Sequence, residues 1–109
     1  MKHTKRVRLE AHGWRVGSAQ EFLDLSAEEA ALVETKLRLS RAVRERRATL
    51  SQSQAALAKR LKSSQSRVAK MEAADPTVSV DLLLKALFAL GATPRDVATA
   101  IRTPLPSAA

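Results

Sequence analysis

The chain contains no cysteine and no tyrosine, and its 109 residues include only two histidines, two phenylalanines and one tryptophan. Without thiols, the fold owes nothing to disulfides or thiolate metal sites. Both histidines, His3 and His12, fall within the first dozen residues, which show no clear period and read as an arm or a short strand, so they are arm residues rather than metal ligands. No glycine-rich phosphate loop is present. Glu28 and Glu29 are adjacent, so on a helix they diverge instead of converging on a substrate. An enzyme, a metalloprotein and a cofactor carrier are therefore all poor fits, and no cofactor is expected. No window approaches the roughly 18 to 20 continuous apolar residues of a membrane span, and the basic N-terminus is not followed by an apolar core. Neither a membrane nor an export role is expected, which points to the cytoplasm. With only three glycines and an abundance of Ala, Leu, Arg and Glu, the chain should be mostly helical. Its length suits one domain with a single core of four or five helices.

What is abundant is positive charge, and its distribution says more than the total of +8. Residues 1–15 carry five basic and one acidic side chain, whereas residues 16–34 carry five acidic side chains and no basic one. From Lys36 to Glu72 there are eleven basic and two acidic residues, and beyond them the charges balance at three each. The excess thus sits in one central segment, as a phosphate-facing surface or an ordinary solvated face would have it.

Local signals divide the chain into helices. Ser26-Ala27-Glu28-Glu29 matches a capping box, so a long helix should start at Ala27 and run to Arg47 or Ala48. Leu32, Thr35, Leu39, Ala42 and Val43 form its buried stripe, Leu50 seals the end, and Arg38, Arg41, Arg44 and Arg46 point elsewhere. After the loop Ala74-Asp75-Pro76-Thr77, the residues Val80, Leu83, Leu84, Leu87 and Phe88 follow the full template of a core-facing helix, begun near Ser79 and stopped by Gly91. Thr93-Pro94 opens a last helix anchored by Val97 and Ile101. The two prolines and small residues from Thr103 to Ala109 form a fraying tail.

Between these helices lies the most informative stretch, Gln54 to Ala73, QAALAKRLKSSQSRVAKMEA. Leu57 and Leu61 lie four apart on one helical face, while Val68 and Met71 lie three apart on another. Lys62-Ser63-Ser64 breaks the run, with Ser63 or Ser64 as the N-cap of the second helix, and Ala58 is small enough for the two helices to cross closely. A helical hairpin inside a bundle has the same apolar pattern. With leading Gln54 and closing Glu72, however, the segment resembles the helix-turn-helix of the lambda-repressor-like (Cro/repressor, XRE) family. Two positions depart from that family: Lys62 stands where it usually has glycine, and Gln52 where it usually has leucine. The resemblance implies an all-α fold, a five-helix lambda-repressor-like DNA-binding domain over residues 31–102, preceded by an N-terminal extension (1–30) and followed by a flexible tail (103–109).

The resemblance also assigns roles. The first turn of a recognition helix meets base edges, here Ser64, Gln65 and Ser66, with Lys70 one turn later. A glutamine amide can pair in bidentate fashion with adenine, and Lys70 can read guanine or clamp the backbone. Gln54, Lys62, Arg67 and Arg44 are the expected phosphate contacts. Arg47 and Glu72 are expected to form an ion pair that locks the motif. Proteins of this fold read palindromic operators in double-stranded DNA as homodimers. Leu90, Val97 and Ile101 are the interface candidates.

More widely, the chain resembles XRE-domain antitoxins of the HigA type, through Gly13-Trp14-Arg15-Val16-Gly17, Glu21-Phe22-Leu23-Asp24-Leu25-Ser26 and the run from Ser64 to Ala73 leading into Pro76. Such proteins neutralise a RelE/HigB-like ribonuclease toxin. The resemblance makes Trp14, Val16, Phe22 and Leu23 toxin-binding candidates, on an acidic segment suited to a basic RNA-cleaving partner. Packing of Trp14 and Phe22 onto the protein's own long helix is the plainer alternative. A stand-alone repressor, or an interaction module that touches RNA or an acidic protein, are the competing functions.

Overall fold

The computed structural model describes residues 25–106. Within that range it is all-helical: α1 (Ala27–Thr49), α2 (Gln54–Arg60), α3 (Gln65–Glu72), α4 (Val80–Ala89) and α5 (Pro94–Arg102). Among the described residues no helix is long and apolar enough to cross a membrane. The chain divides after Thr35, and residues 36–103 make one compact unit. Before that division, Ser26 and Glu29 form the reciprocal cap that the sequence predicts, Ser26 N–H donating to Glu29 Oε1 at 3.0 Å and Glu29 N–H to Ser26 Oγ at 3.1 Å.

In the compact unit every helix after α1 opens on a hydroxyl. Ser53, Ser64, Ser79 and Thr93 are the N-caps, each accepting a backbone N–H of the first turn. Thr93 goes further and forms a full capping box with Asp96, with Pro94 at the first helical position. Four helices end the same way. Beyond the C-caps of α1, α2, α3 and α4, a residue of positive φ follows: Ser51 (55°), Lys62 (53°), Ala74 (56°) and Gly91 (87°). The next N–H then reaches back five residues: Gln52 to Arg47, Ser63 to Ala58, Asp75 to Lys70 and Ala92 to Leu87, at 2.8–3.1 Å. These are Schellman motifs, in which a left-handed residue lets the chain satisfy orphan carbonyls and turn away. Only one of the four uses glycine.

The turns fold the helices onto one core of Leu39, Val43, Leu57, Ala58, Val68, Met71, Val78, Leu83, Ala86, Leu87 and Leu90, all less than 5% exposed. Three arginines then tie down helix C-termini, where carbonyl oxygens concentrate partial negative charge. Arg46 Nε donates to Leu90 O at 3.1 Å, Arg60 Nη1 to Ala89 O at 2.6 Å and Arg38 Nη1 to Ile101 O at 2.6 Å.

Five apolar residues depart from expectation. Leu32 is 54% exposed, because a stripe continues along a helix whether or not anything packs upon it. Leu50 is also exposed, since it occupies the C-cap, where the left-handed turn at Ser51 begins and helical periodicity ends. On α4 the apolar face is wide enough to offer two lines. Packing selects Leu83, Ala86, Leu87 and Leu90, leaving Val80 and Leu84 half-buried and Phe88 exposed. Leu90 is thereby buried in the core, which removes it from the dimer-interface candidates. Of the two residues expected to anchor α5, only Val97 packs against the core; Ile101 is 40% exposed, because it falls one turn further along the helix, where no core residue covers it.

Candidate nucleic-acid interface

The motif is built from α2, a three-residue turn and α3. The turn residues Leu61, Lys62 and Ser63 end α2, and Ser64, not Ser63, caps α3: it takes an extended backbone (φ −105°, ψ 157°) and its Oγ accepts the Arg67 N–H at 3.2 Å. Lys62 holds the position that would favour glycine, at φ 53°. The turn keeps its geometry and absorbs the strain, on the order of 1 kcal/mol.

Helical periodicity then separates the faces of α3. Val68 and Met71 are fully buried, and the adjoining Leu57 and Ala58 of α2 are buried with them. Gln65, Ser66, Arg67 and Lys70 are left exposed together with the Ser64 cap. Their amide, hydroxyl and cationic groups are the ones that can reach base edges and phosphates in a major groove. Among the phosphate candidates on neighbouring elements, Lys62 and Arg44 are exposed. Gln54 is half-buried at the start of α2, with Nε2 donating to Glu72 Oε1 at 3.1 Å.

Glu72 is the internal hub of the motif. Arg47 grips it in bidentate fashion, Nε to Oε2 at 2.5 Å and Nη2 to Oε1 at 2.9 Å, while Arg47 Nη1 donates to Gln52 O at 2.8 Å. The Glu72 side chain is only 5% exposed and that of Arg47 18%. Burial alone would raise the Glu72 pKa, but the hydrogen bonds from Arg47 and Gln54, with the charges of Arg47 and Arg44, outweigh it and hold the carboxyl below its ordinary value. The reciprocal bond raises the already high Arg47 pKa against its own desolvation. One interaction thus joins α1 to the end of α3, and Gln54 adds the start of α2. Gln52, where the family has leucine, leaves its buried Oε1 without a hydrogen-bond partner.

Two residues escaped sequence reasoning. Thr77 and Val78 line a cleft of about 230 Å³ together with Ser64, Ser66, Arg67 and Lys70. Thr77 is fixed by Asp75, whose Oδ1 accepts its N–H at 2.9 Å and its hydroxyl at 2.6 Å. Those two bonds, side chain first, hold the Asp75 carboxyl below its usual pKa, with Lys70 and Lys36 adding their charge. The Asp-x-Thr spacing was the available signal, since aspartate commonly bonds its own chain two residues on. The toxin-binding candidates Trp14, Val16, Phe22 and Leu23, like His3 and His12, lie outside the described residues. Among the described residues no cluster of three or more acidic or histidine side chains could hold a metal.

Compared with known proteins, residues 38–100 match the family model described as a helix-turn-helix domain. Neither a curated protein nor a solved structure matches the chain.

Proposed function

The chain belongs to the helix-turn-helix domain family, and from that premise we propose that it is an XRE-type, sequence-specific transcriptional repressor that also acts as an antitoxin. The DNA-binding domain marks a transcriptional regulator and belongs to a binding family, not an enzymatic one. The observation that carries the finer reading is the exposed polar face of α3. Ser64, Gln65, Ser66 and Lys70 meet base edges, while Gln54, Lys62, Arg67 and Arg44 hold phosphates. A homodimer on a palindromic operator follows from two such helices separated by roughly 34 Å, one turn of DNA. Val97 and Ile101 are the interface residues.

The antitoxin role rests on the words Gly13-Trp14-Arg15-Val16-Gly17 and Glu21-Phe22-Leu23-Asp24-Leu25-Ser26, and on the five uncompensated acidic residues between 16 and 34. An acidic segment with apolar anchors at Trp14, Val16, Phe22 and Leu23 complements a basic RelE/HigB-like ribonuclease toxin. The alternative is a stand-alone XRE-family repressor, with the same DNA residues and no toxin.

Co-expression with the neighbouring gene, purification of the pair and binding to the promoter of that operon test both halves. Q65A with S66A should abolish operator preference and spare toxin capture. Deleting residues 1–25 should do the reverse. Failure to retain the neighbouring product supports the stand-alone repressor, and loss of both activities in either variant overturns the division of roles.

A further inference from the structure

The cleft between α3 and the loop that follows it has two walls of opposite character. On the α3 side stand Ser64, Ser66, Arg67 and Lys70, all exposed, and the Lys70 ammonium brings N–H donors and no acceptor. On the loop side stands exposed Thr77, next to Val78, which is only 4% exposed. The Thr77 hydroxyl has one proton, and that proton is spent. Asp75 Oδ1 accepts it at 2.6 Å and accepts the Thr77 N–H at 2.9 Å. Chemistry fixes the direction of this bond, because an ionised carboxylate accepts and has no proton to give. Asp75 is ionised at neutral pH, its pKa lowered first by these bonds from Thr77 and then by the charges of Lys70 and Lys36. Thr77 Oγ1 therefore has only lone pairs left to offer.

A phosphate, which also only accepts, finds no donor in that hydroxyl, and the Asp75 carboxylate repels it. The loop wall suits a donor and the Lys70 side an acceptor. Of the four bases, adenine alone presents both side by side in the major groove, N7 accepting and N6–H donating. We propose that the cleft reads an adenine by this edge, with Lys70 donating to N7 and Thr77 Oγ1 accepting from N6–H, so that Thr77 is a specificity-determining residue. This rests on the DNA-binding reading above and adds to it a loop residue and a rule for one operator position. Guanine is rejected there because its O6 meets the Thr77 lone pairs. An N6-methyl group on the adenine replaces the proton that Thr77 needs, so adenine methylation weakens binding at this position.

The test uses the full chain and a duplex that it recovers from a randomised pool. Each adenine of the half-site is replaced in turn by guanine, by 7-deazaadenine and by N6-methyladenine. One adenine is expected at which each replacement costs the wild-type chain roughly 3- to 10-fold in affinity. At that position T77V, which keeps the shape and loses the oxygen, should be indifferent to guanine and to the methyl group, while T77S keeps the wild-type pattern. K70M should be indifferent to 7-deazaadenine there. D75A releases the Thr77 proton, so the hydroxyl can donate as well as accept and the preference for adenine over guanine should narrow. Helix content by circular dichroism should be unchanged in all four variants. An adenine preference that survives in full in T77V or D75A overturns the proposal while the DNA-binding reading stands. A T77V loss that is equal on every duplex, as a phosphate contact would give, does the same, and so does a half-site in which no adenine responds to all three replacements. If the wild-type chain recovers no preferred duplex, the DNA-binding reading itself fails, and the proposal with it.

Discussion

Removing the Arg47 guanidinium should strongly destabilise the motif. R47M keeps the aliphatic stem and its packing, so the loss is confined to hydrogen bonds and charge. Arg47 makes three such bonds, two to Glu72 and one to Gln52 O. At about 1.5 to 3 kcal/mol per charge-assisted bond, a simple total would be unrealistically large. Two facts set the true scale. Glu72 is 5% exposed and cannot turn to water without repacking, which pushes the cost toward the 3 to 5 kcal/mol of a broken buried pair. Against this, Arg47 is 18% exposed, so water can enter on its side, and Gln54 Nε2 remains on Glu72. We expect about 3 kcal/mol, or a fall of roughly 10 to 20 °C in Tm for a domain of this size. Thermal and urea melts followed at 222 nm measure it. The double variant R47M/E72L removes both charges and should recover most of the loss, because the penalty comes from stranding Glu72 rather than from losing the pair. An R47M protein that melts within about 3 °C of wild type would show a solvated, nearly neutral pair. A double variant no more stable than R47M would refute the reasoning equally.

Three further outcomes follow from the same geometry. Glu72, Asp96, Asp75 and Glu29 all have folded-state pKa values below their ordinary ones, by hydrogen bonds to Thr93, Thr77 and Ser26 for the last three, each outweighing desolvation. A depressed pKa gives stability that is present above the unfolded values of 4.5 for Glu and 3.8 for Asp and is lost as pH falls through the folded ones. Urea midpoints should thus be flat near neutrality and drop below pH 4.5, with a shallower acid limb in E72Q; an unchanged limb would remove Glu72 from the cause. S51G, K62G and A74G should each raise stability by about 0.5 to 1 kcal/mol, because each relieves a left-handed residue that carries a Cβ. A fall in urea midpoint for all three would contradict the strain. Finally, five cations of the central segment are exposed and give no side-chain hydrogen bond or salt bridge among the described residues: Arg44, Lys59, Lys62, Arg67 and Lys70. Replacing all five by alanine should make the slope of log affinity against log salt shallower by up to about 4.5 per protomer, and an unchanged slope would show that other cations carry the phosphate contacts.

Helix boundaries were legible because they are written in local chemistry. The Ser26 box, the Thr93-Pro94 start and the Gly91 stop each need only a few neighbouring residues, and all three appear where the sequence puts them. The turn was legible in spite of Lys62, since the apolar spacing on either side demands a bend. Burial was harder to read. Leu32, Leu50 and Phe88 all satisfy a helical period, but a period reports which face a residue shares and not whether a partner covers that face. Nothing in the spacing of α4 distinguishes the Leu83–Leu87 line from the Leu84–Phe88 line. The outward face of α3 was predictable once Val68 and Met71 were fixed as core. Thr77 was missed because it joins Ser64 and Lys70 only through the fold, across the Asp75 turn.

Charge was an ambiguous signal in the sequence, and the structure divides it. Eleven basic residues between Lys36 and Glu72 suit a phosphate-facing surface or an ordinary solvated face alike. Six of them serve the fold. Arg38, Arg46 and Arg60 cap helix carbonyls, Arg47 holds Glu72, Arg41 pairs with Glu45 at 2.9 Å, and Lys36 donates to Pro76 O at 3.3 Å. Like charges packed this densely would repel and destabilise the domain. Placing three guanidinia on the negative ends of α4 and α5 turns that liability into attachment, fastening the last two helices to α1 and α2. A positive charge total therefore overstates the capacity for DNA. Within the central segment, the exposed cations to which the fold gives no hydrogen bond or salt bridge among the described residues lie in α1, α2, the turn and α3, and these are the ones the proposed binding surface can use.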